Sequence, residues 1–259
     1  MLSLANAASV WEQVRPLFQA ASAQQGSKGV GEQGSEGGAV TTYTPTPLLP
    51  ANHQTGQPLL IARGLEFRYR EGGQAIVREG NLQIRQGERL LLEGSSGGGK
   101  STLAALLAGL RTPNAGLLLL HGHDRQTLGA DAWRRRVMLT PQFHENHIFS
   151  GSLAFNLLMG QRWPPQPEDL RAATAICQEL GLGELIERMP AGLQQMVGES
   201  GWRLSHGERS RVYIARTLLQ RAELMILDES FAALDPETMR TTLACVLHRA
   251  PTLLVIAHP

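Results

Sequence analysis

The stretch Leu90–Thr102, LLLEGSSGGGKST, constrains this chain more than any other. Three leucines make a short apolar run, as expected of a strand buried on both faces. A loop follows with glycines at 94, 97, 98 and 99, and then Lys100-Ser101-Thr102 leads into LAALLAGL, read as a helix. Gly94, four residues, then Gly99-Lys100-Ser101 satisfies the phosphate-loop pattern in its required strand–loop–helix setting. Glycines let backbone N–H groups turn inward around phosphate oxygens, and the helix N-terminus adds its partial positive charge. Gly94, Ser95, Ser96, Gly97, Gly98, Gly99, Lys100, Ser101 and Thr102 are therefore expected to cradle phosphate. Lys100 reaches the terminal phosphates and the Ser101 hydroxyl is a ligand for Mg²⁺. A Gly/Ser turn that happens to precede lysine is the blander alternative.

At 259 residues the chain has room for one large domain or two small ones. Its formal net charge of +1 gives no basic excess for nucleic acid. Two cysteines, Cys177 and Cys245, cannot build a disulfide framework and lack metal-ligand spacing, so they read as apolar fillers in a reducing compartment. No apolar run approaches the roughly 18 residues that cross a bilayer.

Residues 1–20 place Leu4, Ala7, Ala8, Trp11, Val14, Leu17 and Phe18 at helical spacing, with Pro16 expected to kink or end the helix. Residues 21–58 are rich in Gly, Gln and Ser and then TPTPLLP, a composition that reads as a flexible linker. The folded domain spans 59–259. LEFRYR alternates and puts Leu65, Phe67 and Tyr69 on one face of a strand. Further strands are expected at Asn81–Arg85, Arg89–Leu92, Gly116–His121, Val137–Thr140, Leu224–Leu227 and Leu253–Ala257. Helical patterns dominate from Ser150 to Arg221, and Pro236–Arg249 is another helix. Short apolar strands separated by helices imply a parallel sheet covered on both faces.

At Met225-Ile226-Leu227-Asp228-Glu229 an apolar strand ends in two carboxylates. Successive strand residues point to opposite sides, so the pair can serve two tasks. Asp228 can hold Mg²⁺, and Glu229 can orient or deprotonate an attacking water. Alone, two such acids are more often a helix cap and a surface charge; together with the phosphate loop the functional reading prevails.

Between the two sites lies LSHGERSRVYIARTLL, Leu204–Leu219, which resembles the signature of ATP-binding-cassette (ABC) ATPases. The resemblance covers nearly all of residues 60–259. Tyr69 matches the aromatic that stacks on adenine, although a strand aromatic is also ordinary core filler. Gly94–Thr102 matches the Walker A loop, Gln142 the Q-loop glutamine, Leu204–Glu208 the signature and Leu224–Glu229 the Walker B strand. Ala233-Leu234-Asp235 is similar to the D-loop and His258 to the switch histidine. The family implies an α/β phosphate-loop cassette: a mostly parallel core sheet, an antiparallel β subdomain and a helical subdomain. It also implies that two cassettes pair head to tail around ATP and Mg²⁺. Ser205 and Gly207 would then meet the other cassette's γ-phosphate, Glu229 would act on water, and Gln142 and His258 would sense phosphate and metal. Gln142 joins Ser101 and Asp228 as a metal ligand in this scheme. One departure is plain: the usual LSGGQ reads Leu-Ser-His-Gly-Glu, with His206 and Glu208 replacing glycine and glutamine.

Ile148–Leu153 looks like the exporter motif in which a short helix follows Phe-Ser-Gly, and Val197–Gly201 is similar to an exporter VGERG stretch. In exporters these segments meet the coupling helices of the membrane domain. The resemblance thus implies an exporter ATPase at the cytoplasmic face of the cell membrane, with residues 1–20 as the tail of a membrane helix. The alternatives are a soluble cassette acting on ribosomes or DNA, and a catalytically weak interaction module. The chain stops at Pro259, where family cassettes continue, so a C-terminally truncated cassette and a poor isolated ATPase are expected. Nothing follows Leu253–Ala257 to pair with it, so an exposed apolar strand edge is expected there.

Overall fold

The computed structural model describes residues 56–145 and 147–257. In chain order the first elements are β1 (Pro58–Phe67), β2 (Val77–Arg85), β3 (Arg89–Glu93), α1 (Lys100–Leu107) and β4 (Ala115–Leu120). Then come α2 (Arg125–Leu128), α3 (Ala130–Arg136), β5 (Val137–Thr140), β6 (Gly151–Ser152) and α4 (Leu153–Leu158). The helical stretch continues with α5 (Pro167–Glu179), α6 (Gly183–Arg188), β7 (Met196–Val197) and α7 (His206–Leu219). β8 (Leu224–Asp228), α8 (Pro236–Arg249) and β9 (Thr252–Ala257) close the described chain. The amphipathic stretch 1–20, most of the linker and His258 lie outside the described residues.

The central sheet is wholly parallel, in the order β3-β9-β8-β5. Its strands are short apolar runs because each faces two cores. Leu91, Met225, Leu227, Leu253 and Val255 join the helical side, with Leu157, Leu180, Val212 and Val246. Leu90, Leu92, Leu224, Ile226, Leu254 and Ile256 join the other side, with α1, Trp133 and the antiparallel sheet β2-β1-β4. The period-2 alternation of strand side chains makes this division. Cys177 and Cys245 are buried and free, and burial pushes both thiols up to about 12. No helix among the described residues is long and apolar enough to cross a membrane.

Two expectations need correction. β9 is no edge: it pairs with β3 on one side and β8 on the other, and Thr252–Ile256 are buried. Its neighbours come from earlier in the chain, so nothing after it is needed to cover it. Tyr69 is not on β1, which ends at Phe67. Leu65 and Phe67 are buried as the alternation requires. The next backbone N–H, that of Arg68, is taken by the Asn114 side chain at 2.8 Å, which ends the ladder.

The helical side is tied together by buried polar contacts. Thr140 and Thr217 hydroxyls meet at 2.7 Å across β5 and α7. Arg216 of α7 donates through Nε to the Asn156 carbonyl at 2.6 Å. The fully buried Asn156 amide in turn accepts from Phe149 N–H and donates to the Phe149 and Ser152 carbonyls. Removing that amide leaves several buried groups unpaired, each costing on the order of 1–3 kcal/mol. Asn156→Ala should therefore lower the unfolding free energy by about 2–4 kcal/mol, read from the urea midpoint at unchanged slope.

Candidate functional site

The carboxyl ends of the parallel strands converge at one rim, where α/β sheets bind ligands. Register fixes the geometry: Glu93 pairs with Ala257, and Asp228 with Ile256. The loop after β3, the acids at the end of β8 and Gln142 after β5 therefore share that rim.

The loop wraps back on its own lysine. Lys100, only 4% exposed, donates through Nζ to the Gly94 carbonyl at 2.7 Å and the Ser95 carbonyl at 3.0 Å. Two of its three N–H bonds are thus used, and the third remains for an anion. Gly99 caps α1 in the left-handed region at φ 83, and a Cβ there would lie 3.0 Å from the Ile76 carbonyl oxygen. Both facts call for glycine. No side chain caps α1, so its first N–H groups are open to a phosphate.

On the other side of Lys100, Gln142 Nε2 donates to Ser101 Oγ at 2.9 Å. Asp228 is 3% exposed, and its Oδ1 is buried with no hydrogen-bond partner. Burial raises its carboxyl above the usual carboxylate range; the Ser101 hydroxyl bond and Lys100 pull it down, while Glu229 and Glu145 push it further up. An orphaned carboxylate oxygen beside a serine hydroxyl and a glutamine amide fits Mg²⁺, an ion usually bound by one or two carboxylates together with substrate phosphates. Among the described residues no group of three or more His, Cys, Asp or Glu could hold a metal.

Glu229 differs from the expected strand alternation. It lies one residue past β8 in the left-handed region, at φ 48, with its N–H bonded to the Ile256 carbonyl at 3.0 Å. The turn, not the pleat, separates its side chain from that of Asp228.

The signature residues start α7. Ser205 is its N-cap: Ser205 Oγ accepts from the Glu208 N–H at 3.2 Å, and Glu208 Oε2 accepts from the Ser205 N–H at 2.7 Å. This capping box accounts for Glu208 locally. Arg188 also pairs with Glu208 at 3.2 Å. The Ser205 hydroxyl keeps its own hydrogen as a donor. A Cβ on Gly207 would lie 3.3 Å from the Ala233 carbonyl, so the signature abuts the loop before Asp235. Asp235 caps α8 through Glu237 and Thr238 N–H groups.

Tyr69 stands 56% exposed beside α1, its hydroxyl 3.0 Å from Thr102 Oγ1. Phe67 meets its ring edge-on, and the Arg111 guanidinium lies 4.7 Å from the ring centroid. Arg111 carries no sequence signal for this contact, since only the fold brings residues 69 and 111 together. A cavity of about 520 Å³ lined by Ile176, Leu218, Met225 and His248 lies elsewhere and shares no residue with this rim.

The chain as a whole is similar to known proteins. A family model described as "ABC transporter" matches residues 77–232, more than half of the chain. The chain belongs to the ABC transporter family. It is 39% identical over 218 residues to an ATP-dependent lipid A-core flippase of Alkalilimnicola ehrlichii, covering 81% of this chain and 36% of that protein. It is 34% identical over 217 residues to a mycobactin import ATP-binding/permease protein of Mycolicibacterium thermoresistibile, covering 82% of the chain and 36% of the relative. Among solved structures, a bacterial Atm1-family ABC exporter with ATP bound superposes with a TM-score of 0.69 at 28% identity, over 83% of this chain and 37% of that one. This ABC cassette thus spans little more than a third of the length of the relatives it matches.

The raised Asp228 carboxyl has a consequence for stability without ligand. The unfolded chain releases this proton near 3.8, whereas the folded chain holds it to higher pH. Protonation thus favours the folded state in acid, and that contribution is lost as pH rises from 3.8 through the folded value. Without nucleotide or metal, Asp228→Asn should raise the thermal midpoint at pH 7, with a gain that shrinks as pH falls toward 4.

Proposed function

We propose that this chain is the ATP-binding and ATP-hydrolysing part of an ABC exporter, coupling hydrolysis to movement of a substrate by a transmembrane partner. The carrying observation is the rim where Lys100, the Ser101–Gln142 pair and the unpartnered Asp228 oxygen converge. A nucleotide triphosphate answers each group. The open N–H groups of α1 and the third Lys100 N–H meet phosphate oxygens. Ser101, Asp228 and Gln142 would hold Mg²⁺, which supplies charge neutralisation on the phosphates when bound. Tyr69 offers an exposed ring to the adenine. Glu229 takes the proton of the attacking water. His258, next in sequence after Ala257, is proposed to sense the γ-phosphate.

Ser205, exposed at the start of α7, and the backbone at Gly207 would contact the ATP of a second, head-to-tail cassette. The Ser205 hydroxyl hydrogen and the helix N-terminus are the donors. His206 and Glu208 leave both in place, which favours the hydrolysing cassette over the interaction-module reading. The exporter motifs support a membrane partner: β6 and β7 pair the two motif segments, Ile148–Leu153 and Val197–Gly201, through Gly151 with Val197, and Phe149 and Met196 are both exposed large apolar side chains. Such side chains suit the coupling helices of a transmembrane domain at the cytoplasmic face of the membrane. The likeness to a flippase, an importer and an exporter supports shared ATP chemistry.

Calorimetry and phosphate release test this together. Lys100→Ala should lose most ATP affinity. Glu229→Gln should bind ATP at parental affinity and hydrolyse it at least about a hundredfold more slowly, the size of a lost general base. Parental turnover by Glu229→Gln would move the proton transfer to another group.

A further inference from the structure

His206 occupies a signature position that reads glycine in the family pattern, and its side chain has a definite use in the fold. The His206 ring meets Phe143 edge-on, with centroids 6.3 Å apart and an interplanar angle of 75°. Phe143 directly follows Gln142 and opens the single turn Phe143–Glu145. Gln142 is the residue whose amide reaches Ser101 Oγ. One turn along α7, the Arg209 guanidinium lies 3.2 Å from His206 Nδ1 and 3.4 Å from Nε2.

The same side of α7 continues to grip this segment. Tyr213 donates its hydroxyl to the His147 carbonyl at 2.6 Å, and Arg216 donates to the Asn156 carbonyl, whose side chain holds Phe149. Positions 206, 209, 213 and 216 recur every three or four residues and form one stripe. The run after Gln142 is thus fastened to α7 at three levels, with His206 the level nearest the phosphate loop. A glycine at 206 would have no atom to reach Phe143.

We propose that His206 is a positioning residue which, through Phe143, holds Gln142 against Ser101 and so couples the first turn of α7 to the metal side of the phosphate loop within one cassette. This rests on the reading that ATP occupies that loop. The coupling acts on the arrangement that Mg²⁺ requires and not on the phosphate cradle itself. It therefore separates Mg-ATP binding from ATP binding without metal.

The test is calorimetric titration of the full chain with Mg-ATP and with ATP in EDTA. An edge-to-face pair contributes an amount that corresponds to roughly a two- to tenfold change in affinity. His206→Ala, which keeps the helix and deletes the ring, should weaken Mg-ATP binding by that factor and leave metal-free binding unchanged. Phe143→Ala should do the same, and the double variant should be no weaker than either single one. His206→Phe, which restores a ring at 206, should return to near-parental affinity. Additive losses in the double variant, equal losses with and without Mg²⁺, or parental Mg-ATP binding by His206→Ala would each overturn the proposal. If the parent binds Mg-ATP and Lys100→Ala does not, the phosphate-loop reading survives such a result. A parent that binds no ATP overturns both.

Discussion

Backbone hydrogen bonds join β9 to β3 on one side and β8 on the other, and they hold the phosphate loop and the Asp228 carboxylate at one height. The register is unambiguous because β9 feeds two cores at once. Leu253 and Val255 belong to the helical side, and Leu254 and Ile256 to the side of α1 and Trp133. A slip of one residue would exchange the faces and set apolar shapes against the wrong partners. The site is therefore positioned by burial energy spread over the whole sheet and needs no local rigidity of its own.

Against that fixed rim, the helical part is attached differently. Its contacts to the sheet side include few polar links, such as Thr140 with Thr217, while α7 gathers most of the specific side-chain bonds. α7 carries the signature at one end and the anchor for the Phe149 loop along its length. A displacement of the exposed Phe149 surface must therefore be felt by α7, because Asn156 bonds to both. Transmission of this kind needs only a stiff helix and satisfied buried polar groups, since breaking any one of them leaves another unpaired.

The parallel sheet was legible because strands buried on both faces are short unbroken apolar runs, and the phosphate loop because its spacing is demanded by backbone geometry. What could not be read was adjacency. Period and composition say that Leu253–Ala257 is a strand of central type, but not that β3 and β8 wait on either side of it. Tyr69 left its strand because Asn114, 46 residues from Arg68, takes the Arg68 N–H. Glu229 departed from alternation because the backbone turns left-handed one residue after the strand, where its N–H still bonds to β9. The meeting of Phe143 with His206 likewise exists only in the folded chain. Glu208 was the reverse case: it looked like a defect in a motif, yet its spacing from Ser205 already spelled a capping box.

Tyr69 has one further consequence. Its ring is held from the edge by Phe67, its hydroxyl is tethered at Thr102, and a guanidinium lies close to the ring. What it can offer a nucleotide is a flat surface. Every nucleobase has such a face, and stacking on an aromatic ring is tolerant of which base is presented. In the proposed contact with adenine, a platform of this design would register that a base is there without reading its edges. Selectivity between adenine and guanine nucleotides would then reflect their supply in the cell more than discrimination by the ring.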